Sequence, residues 1–158
     1  MRWISPTAVV AAALAAAACE LERSPEQRTA TDELALAERR FDPVAFDTVV
    51  WASQEAAVER GRDIYSWVCA DCHGPEGHGD GGRVIDGDTI RPEPLQRADW
   101  QRDWSPEDLH RKVFIGNELG MPHWGLRLMR PRDIVALEHY IRLELARGDV
   151  AEVDGEES

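Results

Sequence analysis

Cysteine is scarce in this chain: among 158 residues only Cys19, Cys69 and Cys72 carry a thiol. An odd count this low builds no disulfide framework. Positive charge is also in deficit, with 18 Lys and Arg against 30 Asp and Glu and a formal charge of −12. That balance excludes the basic face a nucleic-acid binder lays along phosphates. No apolar run reaches the ~20 residues of a membrane-spanning helix. Strand signals are nearly missing: Val49-Val50-Trp51 and Val84-Ile85 are too short to count. No internal repeat is visible. The hydrophobic fraction is an ordinary 43%, which argues against wholesale disorder, and the length suits one domain.

The N-terminus carries an address. Arg2 is a short positive region, and Ala8 through Ala18 is an unbroken apolar run. The run is too short to span a bilayer and right for the core of a signal peptide. Cys19 follows Ala16-Ala17-Ala18 directly. This resembles a bacterial lipobox, in which a peptidase cuts before a cysteine that carries a diacylglyceryl group. The alternative is ordinary cleavage in the alanine stretch, leaving Cys19 a free thiol; Ala16 stands where lipoboxes prefer leucine. On either reading residues 1–18 are a signal peptide and the mature chain is exported. On the first, Cys19 is the lipidation site.

Residues 19–52 are rich in acids, alanine and arginine, with Pro25 and Pro43 as breakers. They lack a long amphipathic stripe and are expected to form an acidic, lipid-anchored tether. A short helix over Thr31–Arg40 fits Leu34, Ala37 and Phe41 at helical spacing. Residues 149–158 are acidic and without aromatics, the composition of a disordered tail. The folded domain is then 53–148, with a small core that gains from a cofactor to pack around. Three helices are predicted in it. Ser53 caps the first, which lines up Val58, Gly61, Tyr65 and Val68. Ser105-Pro106-Glu107-Asp108 starts the second, which Gly116 stops. Pro131 opens the third, with Ile134, Leu137, Ile141 and Leu145 on one face and Gly148 at its end.

Cys69-Ala70-Asp71-Cys72-His73 is the C-x-x-C-H pattern of covalent haem attachment. Thiols at i and i+3 reach two vinyl groups on one edge of a porphyrin and form thioethers. His73 then offers an imidazole to the iron from the proximal side. A thioredoxin-like dithiol would want a βαβ context, and a zinc site would want a second ligand pair; neither is present. For the distal ligand, Met121 lies in Gly120-Met121-Pro122-His123-Trp124, where glycine and proline stiffen a loop. Met129 beside Arg130-Pro131 is the lesser candidate, and His123 is the histidine rival. His78, His110, His123 and His139 read otherwise as solvent or polar-face histidines.

Over residues 56–146 the chain resembles a small monohaem class I cytochrome c. The resemblance rests on Gly61 and Tyr65 before the haem motif, Gly74 after it, and the run Gly77-His78-Gly79-Asp80-Gly81. It continues through Pro92, Pro94 and Leu95, the Gly-Met-Pro loop, and Leu137 with Tyr140 and Ile141. It implies an all-α cytochrome c fold, three main helices plus loops wrapped around one covalently attached haem c per chain. It implies that the first and last helices cross at Gly61. It also implies that a carbonyl in the proline segment, Pro92 or a neighbour, accepts a hydrogen bond from His73. Trp100 and Trp104 either fill the core or donate an indole N–H to a haem propionate; Arg91 and Arg97 are further propionate candidates.

The expected function follows: one-electron transfer between redox partners outside the cytoplasmic membrane, such as membrane oxidases or dehydrogenases. A six-coordinate iron leaves no substrate position, so no enzymatic activity is expected. Two alternatives stay open: the haem subunit of a stable membrane redox complex, and an enzyme or gas sensor with a labile distal methionine.

Overall fold

The computed structural model describes residues 29–147. The signal peptide, Cys19 and the acidic tail lie outside the described residues. Thr29 starts helix α1 (Ala30–Arg40) with a capping box: its hydroxyl accepts from the Asp32 N–H, and the Asp32 carboxylate accepts from the Thr29 N–H. Ala37 is fully buried, and Leu34 and Phe41 pack against the core. A single-turn helix, α2 (Val44–Asp47), buries Phe46. From Thr29 onward the stretch expected to be a tether is therefore docked structure. Its anchoring residues are few and split between two short helices, so they form no long amphipathic stripe in the sequence.

Ser53 caps α3 (Gln54–Ile64), its hydroxyl accepting from the Ala56 N–H at 3.2 Å. The helix runs through a π-helical turn, Tyr65–Cys69, into α4 (Ala70–His73). A small antiparallel hairpin, β1 (Val84–Ile85) with β2 (Asp88–Thr89), pairs Val84 with Thr89 and Ile85 with Asp88. Then come α5 (Ala98–Asp103), α6 (Pro106–Ile115), α7 (Trp124–Arg127) and α8 (Pro131–Leu143), closed by a 3-10 turn over Leu145–Arg147. The start of α6 is the predicted one, with Pro106 in the first turn and a Ser105–Asp108 capping box. Among the described residues no helix is long and apolar enough to cross a membrane.

The frame is α3 packed on α8. A Cβ on Gly61 would lie 2.1 Å from the Ala136 carbonyl oxygen and 2.7 Å from the Tyr140 Cβ, so the two backbones nearly touch. The Tyr65 and Tyr140 rings meet at 5.3 Å. Ion pairs bracket the crossing, Arg60 with Asp133 at 2.8 Å and Arg62 with Glu144. Arg142 of α8 donates to the Gln101 and Trp104 carbonyls at 3.1 and 2.6 Å. Gln101 in turn donates to the Leu95 carbonyl at 2.6 Å, which pins the proline segment to α5 and α8.

His110 of α6 stacks on Phe46 with ring centroids 4.8 Å apart. Burial, then the charge of Arg142 and the nearby His139, push its pKa down to about 4, with Asp47 opposing. An unfolded imidazole titrates near 6.5. The unfolded chain therefore binds an extra proton between those values. The contribution of neutral His110 is complete above about pH 6.5 and is lost as the pH falls toward 4. Urea titrations should show His110→Phe removing about 1–2 kcal/mol of that acid loss, a figure reduced for partial solvent screening. An unchanged slope would remove His110 as its source.

Candidate functional site

The C-x-x-C-H segment is built at the end of α3. There the Ala70 N–H bonds back to the Tyr65 carbonyl, a five-residue π step; such steps insert one residue and recur at functional sites. The Tyr65 hydroxyl donates to the Gly74 carbonyl at 2.7 Å, closing the far end of the turn. Burial, with smaller effects from Cys69 and Tyr140, raises the Tyr65 pKa, so the phenol remains a donor. Cys69, Cys72 and His73 thus share one short helical stretch.

Both cysteines are free thiols. Burial, and then the neighbouring Cys72, pushes the Cys69 thiol up to about 12. Burial also raises Cys72, against the opposing pull of Arg83. A dithiol redox site works through a lowered thiolate pKa, so the chemistry here runs the other way. Among the described residues no group of three or more His, Cys, Asp and Glu side chains gathers as a metal site.

His73 is partly buried, and burial lowers its pKa. The ring is neutral at pH 7, the form in which imidazole ligates a metal. Its Nδ1 is buried and has no hydrogen-bond partner. The expected acceptor in the proline segment is not in place: the Pro92 carbonyl lies instead against Gly79, 2.2 Å from where a Cβ would be. The glycine-rich run folds over the turn by backbone bonds, Gly79 N–H to the His73 carbonyl at 2.8 Å and Gly81 N–H to the Cys72 carbonyl at 3.2 Å. A buried polar atom left unmatched by protein is costly. The Cys69 and Cys72 thiols and the His73 imidazole are the donor set a covalent haem needs.

Met121 lies on the loop between α6 and α7. Gly116 ends α6 at φ +71°, and a Cβ there would sit 2.5 Å from the Met121 carbonyl. Asn117 then holds Met121 from both sides. Its N–H donates to the Met121 carbonyl at 3.0 Å, and its side-chain oxygen accepts from the Met121 N–H at 3.1 Å and the Leu119 N–H at 3.0 Å. Sequence reasoning missed Asn117; an asparagine just past a helix-stopping glycine is a turn signal that could have found it. Met121 is partly buried against the core, whereas Met129 is buried within it. His123 is buried, with its Nδ1 engaged by the Ile115 carbonyl.

The aromatic and arginine candidates scatter. Trp100 and Trp104 stack at 5.7 Å, and Arg97 pairs with Asp99. Arg91 is exposed. Trp67, two residues before Cys69, is 85% exposed.

Taken with its helical frame, this attachment turn defines a c-type cytochrome, and the all-α cytochrome fold expected from the sequence is the one observed. Residues 56–141 match the family model described as cytochrome C oxidase, cbb3-type, subunit III; the chain belongs to that family. No curated protein and no solved structure matches the chain. A cytochrome c domain carries a covalently bound c-type haem and serves haem-based electron transfer; such domains are typically carriers and not enzymes.

Proposed function

We propose that this protein is an exported monohaem electron carrier, held at the outer face of a bacterial cytoplasmic membrane. The observation that carries the reading is the C-x-x-C-H turn itself, which sets Cys69, Cys72 and a partly buried His73 on one short helical stretch. Cys69 and Cys72 hold the haem by thioethers, His73 is the proximal ligand and Met121 the distal one. The haem supplies the one-electron step between ferric and ferrous iron. The protein fixes the ring through α3 and α4, keeps His73 neutral, and stiffens Met121 through Asn117 and Pro122. A methionine–histidine pair favours the ferrous state and raises the potential. Residues 1–18 are the signal peptide and Cys19 carries the lipid. The anchor keeps the domain beside membrane oxidases and dehydrogenases, and a tether raises its local concentration there.

A second reading is favoured by the family description, which names an oxidase subunit: the chain is the haem subunit of a stable membrane complex. Solubilising native membranes separates the two, since a shuttle comes off alone and a subunit co-purifies with its partner.

Intact-mass measurement of the exported protein should show one haem per chain that survives acid-acetone extraction. Cys69→Ser and Cys72→Ser should each lower retention, and the double variant should abolish it. An unmodified mass from a host competent for c-type maturation would sink the proposal.

A further inference from the structure

The docked N-terminal residues 29–50 lie outside the family-matched segment 56–141, yet they reach the loop that carries Met121. Two kinds of contact join them. One is a stack of rings. Phe41 meets Phe114 edge-on at 5.5 Å, and Phe46 meets it at 6.3 Å. Gly125 of α7 leans on the same Phe114 ring, where a Cβ would fall 2.2 Å from the nearest ring atom. The other contact is polar. Glu33 of α1 reaches Arg127 of α7 at 3.4 Å and comes within 4.0 Å of the His123 Nε2. His123 is buried and ties back to the Ile115 carbonyl. The segment immediately after Met121 is therefore held by packing at Gly125 and by the Glu33 carboxylate, which accepts from Arg127 and lies beside His123.

We propose that residues 29–50 are a brace for the distal loop, with Glu33 a positioning residue that keeps Met121 in place through Arg127. The inference rests on Met121 being the distal ligand. A loop-borne methionine leaves a metal only when its loop swings out, and contacts made in the closed loop alone set how often that happens. Glu33 makes such a contact. Glu38, five residues further along α1, pairs with Arg111 of α6 and not with α7, so it is the internal control.

The test uses full-length ferric holoprotein and imidazole, which takes the sixth position only when methionine vacates it. Glu33→Gln should raise imidazole affinity about two- to fivefold, the range open to a single partly exposed ion pair. The weak far-red charge-transfer band of iron–thioether ligation should persist without imidazole. Arg127→Gln removes the same pair from the other side and should give the same rise, with the double variant adding little. Glu38→Gln should bind imidazole as the wild type does. Wild-type affinity in Glu33→Gln and Arg127→Gln, or an equal rise in Glu38→Gln, would overturn the brace while the ligand assignment stands. Should wild-type protein lack the far-red band, the Met121 reading fails and the brace falls with it.

Discussion

Replacing Met121 with alanine should open the sixth position of the haem iron. The oxidised protein should lose its far-red thioether band, the reduced protein should bind carbon monoxide, and the midpoint potential should fall by on the order of 100 mV or more, since axial ligands set haem potentials over a wide range. The loop should survive the change. Asn117 grips Met121 by its backbone N–H and carbonyl, bonds that alanine makes equally well, and Gly116 and Pro122 are untouched. The variant therefore reports the ligand and not the loop. Met129→Ala is the counterpart. Met129 is buried in the core, so its truncation should cost about 2–5 kcal/mol of stability and leave the band intact. A band that persists in Met121→Ala and vanishes in Met129→Ala would transpose the assignment.

What was legible in the sequence was local. Ser53, the Ser105–Asp108 box and Pro131 start helices where expected, because a cap is made by side chains within three residues of the bonds they satisfy. The last helix was expected to run to Gly148; its α-helical part ends at Leu143 and a 3-10 turn over Leu145–Arg147 follows, to the edge of the described residues. What escaped was set at a distance. The docking of residues 29–50 could not be read, since Phe41 and Phe46 mean little until Phe114 stands opposite them.

The site divides along the same line. Cys69, Cys72 and His73 are contiguous, and their spacing alone names the chemistry. The unpartnered Nδ1 of His73 could not be read off, because the resemblance supplied a proline carbonyl, whereas here Pro92 lies against Gly79. Asn117 carried a turn signal just past Gly116, but what it grips, the Met121 backbone, is defined only once the loop is folded.

A single methyl at Gly61 is expected to be felt across the domain. In an ordinary exposed helix Gly→Ala gains roughly 0.5–1 kcal/mol. At Gly61 the sign should invert. The new Cβ would lie 2.1 Å from the Ala136 carbonyl oxygen and 2.7 Å from the Ala136 carbonyl carbon. Both are backbone atoms, so no rotamer change relieves the overlap, and α3 must move off α8. That movement pulls on the Tyr65–Tyr140 contact and on both bracketing ion pairs. It also shifts the attachment turn, which Tyr65 ties to Gly74. Overpacking of this kind costs about 1–3 kcal/mol, occasionally more. Gly61→Val, with two further methyls and a β-branch, should sit at the upper end. Urea unfolding of the holoprotein should show midpoints in the order wild type, Gly61→Ala, Gly61→Val, with the slope m unchanged, as expected when stability alone has moved. A Gly61→Ala midpoint above wild type would mean the helices have room to part, and that the close approach of α3 and α8 is not what holds the attachment turn in place.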